Sequence, residues 1–506
     1  MNGNFFQRNI LVALCENIEK ESYSNSFYIN DEYFTYRQLG ECISKIRREL
    51  VSVEGKVVGI AIHDDIETYA SIFALWMEGK AYVPLHPNQP LERNLGIVGQ
   101  VGLNCIIDSS GDSVYSQWAS ENRSKLICSS KLVYSGDFLD NWAEVDENEL
   151  AYLLFTSGST GTPKGVQITR RNIASFMDSF WKTGIKVDET DRCMQVFDLT
   201  FDVSVQNVLV TLTRGACLYT VPYGQVKYLC AASLIQEQKI TFSVMAPSML
   251  TYLRPYFDEF DASSMKTCIL TAEACPVDLI EDWLKCAKNT EIYDFYGPTE
   301  ATIYCTYYKL NRNGKNLSSN GIISIGKPLA NITAIVIDEN GQVISSGGKG
   351  ELCIAGDQLT LGYWNNSDKN KSAFFEKEHE GKRLRFYHTG DLCFMEKSGN
   401  IMYCGRIDQQ AKIQGFRVEL GEIEFHARYF FKNEKRIVAI AFQNENSLTE
   451  IALFIESKKF DVSELLVFLR SKMPAYMIPS RILFEEHFPL NKSEKIDRVA
   501  LKQMVM

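Results

Sequence analysis

The segment AYLLFTSGSTGTPKGVQITRRN, residues 151–172, constrains the fold more than any other part of the chain. An apolar run feeds straight into Thr156, Ser157, Gly158, Ser159, Thr160, Gly161 and Thr162, then leaves through Pro163, Lys164 and Gly165 into a second apolar run. Glycines let the backbone turn its N–H groups inward, hydroxyls donate hydrogen bonds, and a lysine adds positive charge, so the loop reads as a phosphate cradle. It is not a Walker A loop, because Pro163 stands where that motif requires glycine. A flexible Gly/Ser linker is the competing reading, but linkers seldom sit between two apolar strands with a Pro-Lys-Gly exit.

The surrounding pattern is α/β. LVSVEGKVVGIAIHD, IETYASIFALWMEG and AYVPL read as strand, helix and strand. After about residue 320 the segments shorten and turns multiply, as in ITAIVIDENGQVISSGGKGELCIAG, which predicts a β-rich subdomain. Beyond Gly405–Asp408 come a helix (GEIEFHARYFFK), two strands (RIVAIAF, EIALFIE) and a helix (SELLVFLRSK), a compact α+β domain. A chain of 506 residues exceeds what one core serves. The expected architecture is therefore two α/β subdomains plus a β-rich subdomain in residues 1–407, and a small mobile α+β domain in residues 408–506.

Net charge of −10 argues against a general nucleic-acid surface, and it demands that donors for a polyanion be concentrated locally. No run approaches a membrane span. The N-terminal MNGNFFQRNILVALCENIEKES lacks a basic leader and a cleavage site and reads as an amphipathic helix, so a cytoplasmic protein is expected. Fourteen cysteines without a CxxC pair, several in apolar runs such as Cys353 in ELCIAG, read as buried reduced thiols rather than metal ligands.

Further motifs follow in order: TYRQL at Thr35, AYVPLHPNQPLER at Ala81, FDVSV at Phe201, YGPTEAT at Tyr296, GELCIAGDQLTLGYW at Gly350, YHTGDL at Tyr387, GRIDQQAKIQGFRVELGEIE at Gly405, MPAYMIP at Met473 and KIDR at Lys495. With the Gly-rich loop, this series resembles the adenylate-forming superfamily of acyl-CoA synthetases, luciferase, adenylation domains of nonribosomal peptide synthetases and D-alanine–carrier-protein ligases.

The resemblance implies ATP and Mg²⁺ as cofactors and a set of roles. Lys164 and the loop would hold phosphates, Tyr296 would stack on adenine near Ala272, Thr299 would bond phosphate, and Glu300 would ligate Mg²⁺, the oxygen donor a hard cation needs. Asp391 would accept from the ribose hydroxyls, and Arg406 would lie near the ribose. Asp408 would be the hinge between two domain orientations. Lys495 would neutralise charge as the carboxylate attacks, although Glu494 stands where the family commonly has glycine. His388 stands where the family usually has arginine and is assigned no role beyond packing or surface.

Asp202 matches the aspartate that pairs with an α-ammonium in amino-acid-activating members. Val203, Gln206, Val244, Ile269, Thr271, Phe295, Ile303 and Tyr304 would line the side-chain pocket, which holds no second charge. Asp202, Val203, Gln206 and Ile269 resemble proline-activating pockets, whereas Thr271, Phe295 and Tyr304 depart from them. L-proline is the first expectation, with alanine, serine and other small neutral amino acids behind it. A free-standing ligase is expected, loading the phosphopantetheine thiol of a separate carrier protein. A D-alanine–carrier-protein ligase and an acyl-CoA synthetase are the enzyme alternatives, and a silent nucleotide-binding scaffold is a third.

Overall fold

In the computed structural model, the described residues are 4–158, 161–312, 314–408, 410–490 and 496–505. Contacts divide the chain into two compact units, residues 1–86, 98–154 and 165–405 in the first and 87–97, 155–164 and 406–506 in the second. The Gly-rich loop thus groups with the C-terminal residues.

Three main sheets build the large unit. A nine-stranded sheet runs in the order Lys327–Pro328, Thr306–Lys309, Glu291–Tyr296, Thr267–Thr271, Phe242–Met245, Arg192–Gln195, Cys217–Thr220, Asn25–Ile29 and Glu32–Thr35, and its central strands are parallel. A six-stranded sheet runs Lys125–Cys128, Cys105–Asp108, Val57–Ala61, Ala81–Leu85, Leu150–Thr156 and Lys164–Thr169, so the Gly-rich loop joins its last two strands. The β-rich part consists of Ile332–Ile337, Lys349–Gly356, Lys382–Met395 and Phe374–His379, with Ile401–Arg406 added to the third. The two α/β sheets and the β-rich sheet match the expected fold class.

Local chemistry explains the elements. TYRQL is a helix start: Thr35 accepts from the Gln38 backbone and the Gln38 side chain accepts from the Thr35 N–H, a capping box opening Tyr36–Leu50. Thr169 and Asn172 do the same for Arg170–Trp181, and Asp65 caps Ile66–Met77. The strand expected from LVSVEGKVVGIAIHD is confined to Val57–Ala61, because Leu50 ends the preceding helix and Gly55 turns with φ +92°. The N-terminal helix begins as a π-helical stretch, Gln7–Val12, before Ala13–Lys20. No helix among the described residues is long and apolar enough to cross a membrane.

The smaller unit holds the sheet Ile437–Gln443, Thr449–Glu456 and Arg481–Glu485, covered by Leu420–Phe430 and Ser463–Lys472, with a hairpin Gln410–Ile413 and Phe416–Glu419 before them. Its core gathers Val418, Ile423, Ile437, Leu453 and Leu469.

Candidate active site

Within the smaller unit, the Gly-rich loop already holds carboxylates. Lys164 Nζ lies 2.8 Å from Glu419 Oε1, both side chains nearly buried. The Gly158 N–H donates to Glu422 Oε2 at 2.9 Å, and Arg93 pairs with the other oxygen of Glu422 at 2.6 Å. Ser157 Oγ donates to the Arg417 carbonyl and accepts from the Glu419 N–H, each at 3.0 Å. The loop's backbone and its lysine thus both engage carboxylates. Its glycines are spatially required: a Cβ on Gly158 would meet the Thr162 carbonyl oxygen at 2.0 Å, and one on Gly161, φ +79°, would meet the Phe425 ring at 2.4 Å. Thr156 ends the strand before the loop. Ser159, Thr160 and Lys495 lie outside the described residues. Arg406 makes a two-pronged pair with Asp408, Nε–Oδ1 2.9 Å and Nη2–Oδ2 2.5 Å, and also reaches Gln410.

In the large unit, Tyr296 ends the strand Glu291–Tyr296 and donates its hydroxyl to Asp391 Oδ2 at 2.5 Å. Burial, reinforced by the Asp391 charge, pushes the Tyr296 phenol well above its usual range, so it stays a donor. Asp391 reaches this position through a bulge. Thr389, Gly390 and Asp391 stand opposite the single residue Leu352, because the register shifts between Glu351 and Cys353. Gly390 takes φ +71° there, and Thr389 Oγ1 donates to the Leu352 carbonyl.

YGPTEAT folds into a strained turn. Thr299–Ala301 form one 3₁₀ turn, followed by Thr302 at φ +54° and Ile303 at φ +73°. Left-handed backbone in two consecutive β-branched residues is a true outlier. Gln358 holds the turn: its Nε2 donates to the carbonyl of Tyr304 at 2.6 Å and reaches those of Ala301 and Thr302, while Thr302 Oγ1 donates to the Gln358 carbonyl. Gly297 is required because a Cβ there would lie 2.3 Å from the Ile303 carbonyl oxygen. Glu300 is fully buried and accepts from Tyr363 at 2.6 Å. Ala272 also carries positive φ, +70°, which costs an alanine roughly 1–2 kcal/mol. Its neighbour Glu273 accepts from the Ser248 N–H.

The turn meets Asp202, which opens the helix Asp202–Leu212. The Asp202 carboxyl is buried and pushed up to about 6, first by desolvation and then by the Glu300 charge. The Thr299 hydroxyl and the N–H groups of Ile303 and Val203 oppose that rise. Its Oδ2 makes no hydrogen bond among the described residues, nor does Gln206 Nε2 one turn later. Val203, Val244, Ile269, Phe295, Ile303 and Tyr304 belong to one apolar cluster. Thr271 is buried and pairs with Phe295 across adjacent strands. Phe295 and Tyr304 lie 4.9 Å apart between ring centroids, and the Tyr304 hydroxyl donates to Gln206 Oε1 at 3.3 Å. Direct contacts join Asp202 to the Ile303 N–H, Tyr304 to Gln206 and Phe295, Phe295 to Thr271, and Val244 to Ile269. Sequence reasoning missed Gln358, Tyr363, Glu419, Glu422 and Arg93. All but Arg93 lie after Gly350, and each acts through a contact far along the chain that no local pattern signals.

Residues 16–364 match the family model described as AMP-binding enzyme. Tyrocidine synthase 3 of Brevibacillus parabrevis is 31% identical over 99% of this chain, which spans 8% of that protein's length. The adenylation domain AlmE of Vibrio cholerae, solved with glycyl-adenosine-5′-phosphate, superposes with TM-score 0.86 at 23% identity, covering 99% of this chain and 97% of that one. PA1221, a nonribosomal-peptide-synthetase protein containing adenylation and carrier domains, gives TM-score 0.83 at 22% identity, covering 98% and 84%. The matched span carries the Gly-rich loop, Asp202 and the strained YGPTEAT turn, and the chain belongs to the AMP-binding enzyme family.

Proposed function

We propose that the chain activates a small neutral amino acid as its aminoacyl-adenylate and passes the acyl group to the phosphopantetheine thiol of a carrier protein. The observation that carries this reading is Asp202: a buried carboxylate beside the YGPTEAT turn, with one oxygen lacking a hydrogen-bond partner among the described residues. A buried carboxylate is costly unless a cation meets it, and an amino acid supplies one in its α-ammonium. A fatty-acyl tunnel has no use for such a group.

In the first half-reaction, a substrate carboxylate oxygen attacks the α-phosphorus of ATP and the bond to pyrophosphate breaks. Lys164 and the loop N–H groups hold the phosphates, Lys495 neutralises the developing charge, and Tyr296, Asp391, Ala272 and Arg406 position the nucleoside. Glu300 fits a Mg²⁺ site, because a buried carboxylate is the hard oxygen donor that cation prefers, and Thr299 bonds phosphate beside it; bound there, the ion would offset triphosphate charge. In the second half-reaction, the carrier thiol attacks the acyl carbonyl and AMP leaves. Residues 408–506 serve as a lid on the core of residues 1–407, with the hinge at Asp408.

The buried rings of Phe295 and Tyr304, 4.9 Å apart between centroids, support a compact substrate, L-proline before alanine or serine. Incubation with ATP, proline and either a phosphopantetheinylated carrier or coenzyme A tests the acceptor. Thioester on the carrier and none on coenzyme A supports the reading. Preferential acyl-CoA formation overturns it in favour of a synthetase.

A further inference from the structure

The β-rich sheet places three different ligand types together, apart from the residues discussed so far for catalysis. Glu351 and Cys353 are two residues apart on Lys349–Gly356, and His388 on Lys382–Met395 is the cross-strand partner of Cys353. The bulge opposite Leu352 shifts the register at this point. His388 Nδ1 lies 2.8 Å from Glu351 Oε2 and 3.8 Å from Cys353 Sγ, and the three ligand atoms all fall within 4.8 Å of one another.

We propose that Glu351, Cys353 and His388 bind one divalent ion of the zinc class. Tetrahedral zinc at ordinary bond lengths separates sulfur from nitrogen by about 3.6 Å and nitrogen from oxygen by about 3.4 Å. The observed Sγ–Nδ1 spacing is already close, and the Nδ1–Oε2 spacing must open by only about 0.6 Å. Thiolate, imidazole and carboxylate together select zinc over magnesium or calcium, which take oxygen ligands. Outer contacts fix the ligands. The Gly390 N–H donates to the other oxygen of Glu351, and the Phe375 ring lies 4.4 Å from the imidazole between centroids. Cys353 sits among Ile335, Ile337, Ala355 and Phe386, an apolar shell, while the His388 and Glu351 side chains are 33% and 21% exposed, so an ion enters from solvent. Three protein ligands leave the fourth position on the solvent side to water.

A bound ion would clamp the two strands beside the bulge that carries Asp391. The site is thus a structural staple, chemically separate from the magnesium-type donors at Glu300.

Co²⁺ is the spectroscopic probe. The full chain, freed of metal by a chelator and reduced, is titrated with Co²⁺ and then competed with Zn²⁺. One equivalent should produce a thiolate-to-cobalt charge-transfer band that Zn²⁺ bleaches, and Zn²⁺ should raise the thermal midpoint. Cys353→Ser should abolish the band, and His388→Gln should weaken Zn²⁺ binding by about 100-fold, at least the loss typical of a supporting contact. With fourteen cysteines in the chain, a band that survives Cys353→Ser overturns the proposal, as does the absence of stoichiometric binding in the unmutated chain. Should Cys353→Ser fail to fold, the partly exposed His388→Gln decides the matter: unchanged Zn²⁺ affinity contradicts the site and loss of affinity with an intact circular dichroism spectrum supports it.

Discussion

Lys164 of the Gly-rich loop is ion-paired with Glu419 at 2.8 Å, in surroundings where neither side chain is more than about a tenth exposed. With the Gly158 N–H on Glu422, the loop's donors are engaged by carboxylates of the same unit, and a polyphosphate must compete with them. Glu419→Gln removes one charge-assisted contact and should tighten pyrophosphate and ATP binding by about 10-fold. Calorimetric titration checks this, and unchanged or weaker binding would show that the pair does not compete with phosphate.

The Asp202 carboxyl, at about 6, lies above its unfolded value of 3.8. The folded state therefore binds the extra proton between about pH 4 and 6, so this group's contribution to stability is present at low pH and is lost as pH rises through that window. About two units correspond to about 3 kcal/mol. Asp202→Asn should be more stable than the parent by roughly that amount at pH 7.5 and nearly equal to it at pH 4, read from urea denaturation. Protonation of Asp202 below pH 6 should also raise KM for the amino acid, whereas KM for ATP should hold.

Gln358 and Gly297 hold the turn that points the Ile303 N–H at Asp202. Gln358→Ala strands buried carbonyls and should cost about 2–4 kcal/mol. Gly297→Ala forces the Ile303 carbonyl to move and should cost about 1–3 kcal/mol. Both should raise KM for the amino acid more than for ATP. Equal losses for the two substrates would show that the turn does not serve the ammonium site in particular.

The motif residues were legible because each carries a local requirement. The Gly/Ser/Thr run between two apolar stretches marks the loop joining Leu150–Thr156 and Lys164–Thr169, and the alternating apolar strands and amphipathic helices mark the α/β sheets. What stayed hidden depends on contacts between distant segments. Nothing in GDQLTLGYW shows that Gln358 will staple residues 301–304, or that Tyr363 will hold Glu300. The bulge at Thr389–Asp391 is equally invisible, because a register shift depends on two strands at once. It turns His388, a residue with no role as sequence, into the neighbour of Cys353.

Lys495→Ala should lower adenylate formation by roughly 10²- to 10³-fold, the scale of one electrostatic stabiliser. Supplied with pre-made aminoacyl-adenylate, the variant should still load a carrier protein. A parallel fall in both half-reactions, measured by single turnover, would assign Lys495 a structural role.

The most direct test of amino-acid activation is ATP–pyrophosphate exchange across the common amino acids, each measured with the parent chain and with Asp202→Ala. The account predicts strong exchange with a small neutral amino acid, proline first, and loss of that exchange in the variant by about 3–5 kcal/mol of transition-state stabilisation, with ATP still bound. Exchange driven by a carboxylic acid lacking an amino group, and unaffected by Asp202→Ala, would contradict it.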